Sequence, residues 1–173
     1  MLKIMNNLCT ILLFGIEMTK MKYENLKLDN QLCFALYSAT HALTRAYRSA
    51  LESTGITYTQ YLVMLALWEN NNLTVKSVAE RLDLDSASLT PILKRLEVAG
   101  FLSRKRNKAD ERVVEIALTD KGHALQDEVA SIQKRVACQT GLPHHEFEQL
   151  KSSLHKLVET MHSNEPIDIK TAA

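Results

Sequence analysis

The stretch LTVKSVAERLDLDSASLTPILKRLEVAGFLSRKRNKADERVVEIAL, residues 73–118, constrains the fold most. Thr74 can cap a short helix that turns Val75, Val78, Ala79 and Leu82 inward. Residues 83–85 make a turn. Ser86 or Ser88 then caps a second helix with Leu89, Ile92, Leu93 and Leu96 as its inner stripe. If Ser88 is the cap, Pro91 lies in the first helical turn and is tolerated. If Ser86 is the cap, Pro91 should distort the helix. Gly100 is a natural helix stop. Residues 101–106 and 112–118 alternate as strands do, and 107–111 connects them.

Helix, turn, helix and β-hairpin in that order outline a winged helix-turn-helix, whose common use is to place a helix in the DNA major groove. The chain as a whole does not look like a basic nucleic-acid binder, because its formal net charge is only +1. The charge is local. Lys94, Arg95, Arg104, Lys105, Arg106, Lys108 and Arg112 face only Glu97, Asp110 and Glu111. That excess sits where phosphates would lie. Hydroxyls of Ser86, Ser88 and Thr90 at a helix start can reach base edges or phosphates. Arg112, beside the loop, can enter a minor groove with Asp110 fixing its guanidinium. A charge run alone is better read as a solvated hairpin, and the serines as mere caps. The combined pattern favours DNA.

The flanks are helical. Asp29 is expected to cap a helix to about Ser53, on which Leu32, Cys33, Leu36, Ala39, Leu43, Ala46, Tyr47 and Ala50 recur at helical spacing. Thr57 or Tyr58 opens a second helix that is apolar almost all round. Thr119 caps a long helix to about Thr140, and a last one runs from Pro143 to about His162. These terminal helices, 29–53 and 120–162, exceed what one small winged domain needs, and their apolar stripes call for a second copy. A twofold dimer also sets two recognition helices on two half-sites. The fold class expected is mainly α with a small β-hairpin wing: a winged helix-turn-helix core over 57–118 between dimerisation helices, in one domain over 23–162.

Residues 1–22 stand apart. Residues 8–16 are apolar but too few to span a bilayer, and no small-residue cleavage site follows. They read as a disordered or superfluous extension, and 163–173 as a disordered tail. Three distant cysteines, Cys9, Cys33 and Cys138, do not form a disulfide framework, which suits a reducing cytoplasm. The six histidines are scattered. His155 and His162 share a face, but no third ligand completes a metal site. No cofactor or membrane association is expected.

A cysteine on an apolar helix stripe is usually an inert core residue. Cys33 differs in lying about one turn into its helix, where exposed amides favour a thiolate. Tyr37, Tyr47, Tyr58 and Tyr61 are also nearby in sequence, and phenolic hydroxyls can donate to a thiolate. Without such help a thiol is only about 3% ionised at pH 7.

The stretches LDNQLCFALYSA, TRAYR, ITYTQYLVMLALWE, LDLDSASLTPILKRLE and DERVVEIALT resemble the multiple-antibiotic-resistance (MarR) regulators, and within them the organic hydroperoxide resistance regulators. The resemblance covers about residues 28–161. It implies a homodimeric repressor of palindromic double-stranded operator DNA, not an enzyme. It assigns Cys33 as the peroxide-sensing thiol, Tyr47 and Tyr58 as its hydrogen-bonding partners across the dimer, and Cys138 of the partner subunit as the resolving thiol. Ser86, Ser88, Thr90, Lys94, Arg95, Asp110 and Arg112 carry over as DNA-reading positions, with Arg104 and Arg106 added by charge. His41 and Thr59 depart from the usual pattern, and Cys9 has no counterpart. Two alternatives stand beside this reading. One is a repressor released by small aromatic ligands. The other is a thiol peroxidase, against which the charged wing argues.

Overall fold

The computed structural model describes residues 23–107, 109–110 and 112–163. Expectations for residues 1–22 and 164–173 lie outside them. The chain divides into two units between Thr44 and Arg45.

The described part of the first unit holds two short 3₁₀ turns, Glu24–Leu26 and Leu28–Asn30, and most of helix α1, Leu32–Ala50. This corrects the expected start. Asp29 does not cap α1; it sits in the second 3₁₀ turn, and extended Gln31 precedes the helix. The Gln31 side chain turns back to the carbonyls of Asn25 and Lys27 rather than capping. Cys33 is therefore the second residue of α1, closer to the helix start than its spacing suggested. No residue of α1 is buried; Leu32 stands 63% exposed.

In the second unit α1 ends at Ala50, before a 3₁₀ turn over Glu52–Thr54. Helix α2, Tyr58–Glu69, starts with a full capping box: the Thr57 hydroxyl accepts from the Gln60 amide, and the Gln60 side chain accepts from the Thr57 amide. Its Tyr61, Val63, Met64 and Leu67 are buried, as an all-round apolar helix requires. Strand β1, Leu73–Thr74, follows, and the sequence pattern had not shown it. It pairs with strand β3, Val114–Leu118, which also pairs antiparallel with β2, Leu102–Arg106, in the order β1-β3-β2.

Thr74 caps α3, Val75–Arg81, as expected, by accepting from the Ser77 amide at 3.0 Å. Helix α4, Ser86–Val98, is capped by neither predicted serine. Asp85 holds the position, with Oδ1 accepting from the Ser88 amide at 2.7 Å and Oδ2 from the Ser88 hydroxyl at 2.8 Å. A carboxylate with two acceptor oxygens can satisfy both donors at once, which a serine cap cannot. Pro91 thus lies inside α4, where it supplies no amide to the ladder.

At the other end of α4, Gly100 takes φ +78 and closes a Schellman turn: its amide donates to Glu97 and the Phe101 amide to Leu96. Leu89, Leu93 and Leu96 of α4 meet Val78, Leu67 and Ile116 in one core. Thr119 caps α5, Asp120–Gln139, which buries Leu125, Val129, Ile132 and Val136. The last helix, α6, His144–Ser163, buries nothing, and Ser163 closes it instead of opening a tail. The architecture is a mainly α winged helix-turn-helix with flanking helices.

Candidate nucleic-acid interface and thiol site

The starts of α3 and α4 and the wing strands enclose an open concavity of about 650 Å³. Its walls include Thr74, Lys76, Ser86, Thr90, Arg104 and Arg112. Hydroxyls and cations line it together, which suits an anionic backbone. Two of the predicted reading residues, Ser86 and Thr90, are therefore together here with the wing arginines Arg104 and Arg112. Ser88 is adjacent, but its hydroxyl is held in the Asp85 cap. Thr90 returns its hydroxyl to the Ser86 carbonyl at 2.7 Å. Those two oxygens keep acceptor capacity only, so DNA donors rather than acceptors would suit them. Lys94 and Arg95 are exposed further along α4, and Arg106 at the end of β2.

The wing loop is built on Asn107, whose role had no sequence signal beyond being polar. Its amide oxygen accepts from Ala109 and Asp110, and its amide nitrogen donates to Glu115 at 2.6 Å. Asp110 then accepts from Arg112 twice, from the amide at 3.0 Å and from Nε at 3.2 Å. The Arg112 side chain is 93% exposed, so it is aimed outward from a fixed base.

Arg104 differs from the expectation of a wing cation open to phosphates. Its Nε and Nη2 both donate to Glu97 Oε2, at 2.9 and 2.6 Å, and its amide donates to Glu97 Oε1 at 3.1 Å. The Arg104 guanidinium holds the Glu97 carboxyl below the usual carboxylate range. Seven-residue separation across a helix end and a strand start hid this pair from periodicity arguments.

Among the described residues, Cys33 and Cys138 are unbridged, exposed thiols. Cys33 belongs to the first unit and Cys138, near the end of α5, to the second. The amides of Leu32, Cys33 and Phe34 precede the first intrahelical bond, so positive charge density lies around Cys33. Tyr37, one turn on, packs against His41 at 4.2 Å between ring centroids.

Tyr47 and Tyr58 come together in the second unit, with rings 5.4 Å apart, and Tyr61 completes the group at 5.0 Å from Tyr47. Burial raises the pKa of Tyr58, and burial with a hydrogen bond donated to Tyr47 raises that of Tyr61 further. Both phenols stay protonated at any physiological pH and remain donors. No group of three metal-ligating side chains occurs among the described residues. No helix among them is long and apolar enough to cross a membrane.

A helix start and a charged wing around one polar concavity define a winged helix-turn-helix transcriptional regulator. Residues 45–129 match the family model for the transcriptional regulator SarA/Rot. The Organic hydroperoxide resistance transcriptional regulator of Bacillus subtilis strain 168 is 44% identical over 141 residues, covering 82% of this chain and 96% of that one. The chain belongs to the MarR family of transcriptional regulators, close to the organic hydroperoxide resistance, SarZ and AbfR proteins.

Two solved structures of AbfR, a Staphylococcus epidermidis protein, are similar to it. Reduced AbfR bound to DNA superposes with a TM-score of 0.69 at 39% identity, covering 82% of this chain and 97% of that chain. Disulfide-formed AbfR gives 0.56 at 39% identity, covering 83% and 96%.

Proposed function

We infer that this protein is a peroxide-sensing, DNA-binding transcriptional repressor acting as a homodimer, with Cys33 as its sensor. The observation that carries the assignment is the position of Cys33, exposed at the second residue of α1. The first-turn amides favour the thiolate there. Phenolic hydroxyls such as those of Tyr47 and Tyr58, contributed by the partner subunit, would add donors to the sulfur. AbfR, recorded both reduced on DNA and in disulfide form, offers a parallel.

In the reduced state the dimer holds a palindromic operator, with Ser86, Ser88, Thr90, Lys94 and Arg95 at the major groove. Arg112, steadied by Asp110, enters the minor groove, and Arg106 meets phosphate. The Cys33 thiolate attacks one oxygen of an organic hydroperoxide. The O–O bond breaks, the sulfur takes the terminal OH to become a sulfenic acid, and the alkoxide leaves and picks up a proton from solvent to give the alcohol. The Cys138 thiol of the partner subunit then displaces water to form an S–S bond about 2 Å long. Closing that bond between helices would turn the winged modules out of register with the half-sites. Genes for hydroperoxide detoxification are the natural targets. The interface between copies would use the exposed stripes of α1 and α6 together with α5.

On a non-reducing gel, hydroperoxide should convert wild type to a covalent dimer and release DNA. Cys33→Ser should stay monomeric on the gel and remain DNA-bound; if it still releases DNA on peroxide, Cys33 is not the sensor.

One observation favours a second reading. An apolar open cleft of about 280 Å³ lies between α2 and α5, lined by Tyr61, Leu65, Trp68, Val129 and Ala130. A small aromatic acid could occupy it and release DNA without thiol chemistry. Titrating salicylate against thiol-blocked protein on DNA distinguishes the two.

A further inference from the structure

The acidic residue on the DNA-facing helix has no evident place in binding an anion, since a carboxylate there repels phosphate. Yet the Glu97 carboxylate accepts three hydrogen bonds, all from Arg104. One of them comes from the main chain. Strand β2 is an edge strand, because β3 lies between it and β1. The Arg104 amide thus points away from the sheet, and Glu97 supplies the acceptor a further strand would have supplied. The carboxylate holds the backbone of the wing, not only a flexible side chain. Both side chains are about one-third exposed, at 34% for Glu97 and 27% for Arg104. Ionisation is favoured throughout the neutral range, since the guanidinium lowers the Glu97 pKa.

We propose that Glu97 is a positioning residue that pins the wing to the recognition helix through Arg104, fixing the spacing between Ser86 and Thr90 and the wing-loop Arg112. The inference rests on the repressor reading above and deepens it. Arg104, facing the same concavity as Ser86, Thr90 and Arg112, acts through its carboxylate partner and not as a phosphate contact. A pinned wing reads one groove spacing and penalises others, which is a source of discrimination between sequences. A loose wing keeps its charge but can follow any duplex.

The test compares two DNA probes of equal length across a salt series. One is the duplex that reduced wild-type protein enriches from a randomised pool; the other is a random-sequence duplex. The proteins are wild type, Glu97→Gln, Arg104→Met and the double variant, each checked by thermal melting. Each single variant should lose about tenfold in the ratio of selected to random affinity, and the double variant no more than either. Glu97→Gln should bind random duplex as well as wild type or better. The proposal is overturned if Arg104→Met weakens both probes equally and lowers the salt slope by about one, the mark of an independent phosphate contact. It is equally overturned if a folded Glu97→Gln keeps the wild-type ratio. If wild type enriches no duplex at all, the repressor reading itself fails, and the inference with it.

Discussion

The indole Nε1 of Trp68 donates to the backbone carbonyl of Gly122 at 3.0 Å, tying α2 to the start of α5. The same junction holds the end of α4. The Thr119 hydroxyl donates to Gly100 at 2.6 Å, and Lys121 Nζ to the Ala99 carbonyl at 2.8 Å while lying over the Phe101 ring. A helix that carries Cys138 is thereby fastened to the end of the helix that faces DNA.

Gly122 makes the junction possible. A Cβ there would stand 2.1 Å from the Phe101 carbonyl oxygen, which is main chain and cannot swing aside. Gly122→Ala should destabilise the fold by about 3 kcal/mol, read by denaturant titration. Trp68→Phe should cost about 1 kcal/mol for the lost bond. Equal stability of Gly122→Ala and wild type would mean the junction is loose.

Asp85 should make the start of α4 acid-labile. Hydrogen bonds from the Ser88 amide and hydroxyl lower its pKa. A carboxylate lowered on folding contributes stability that is present above its unfolded value, near 3.9, and is lost as pH falls through the folded value. Asp85→Asn keeps an acceptor for the amide but removes that titration. Amide exchange at Ser88, followed below pH 4, should accelerate in wild type and change less in Asp85→Asn.

Arg112→Ala should weaken DNA binding about tenfold or more without changing the melting temperature, because the side chain is 93% exposed. Thiol oxidation by hydroperoxide, followed with a sulfenic-acid probe, should proceed at the wild-type rate. A slower oxidation would mean that wing and sensor are not separable.

Tyr58→Phe and Tyr47→Phe remove donors but keep the ring cluster. Each should slow Cys33 oxidation by about tenfold at neutral pH, the effect of losing one donor to the reacting sulfur. Stopped-flow measurement with a bulky organic hydroperoxide checks this. Unchanged rates in both would remove the tyrosines from the sensor.

Much of this was readable in the chain. Thr57, Thr74 and Thr119 each precede an apolar stripe at helical spacing, and each caps its helix. Gly100 marks the end of α4, and the alternation on either side of the loop marks the wing. Caps are ambiguous where several polar residues crowd together. In LDLDSAS four side chains could serve, and only the backbone angle at each decides which one faces the open amides. At Asp29 a suitable residue was present, but the chain makes a 3₁₀ turn there first. The two-residue strand β1 was invisible because its pairing depends wholly on β3.

Local interactions of range three or four are written in the sequence, since helix spacing and turn geometry are properties of the backbone itself. The order of helices, the glycine stop and the charged wing follow from these alone. Pairings between elements are different. That Glu97 takes Arg104 from the solvent, that Trp68 meets Gly122 and that Tyr47, Tyr58 and Tyr61 gather depends on how helices and strands pack. Packing is selected by the fit of the whole core, so no short window of sequence contains it.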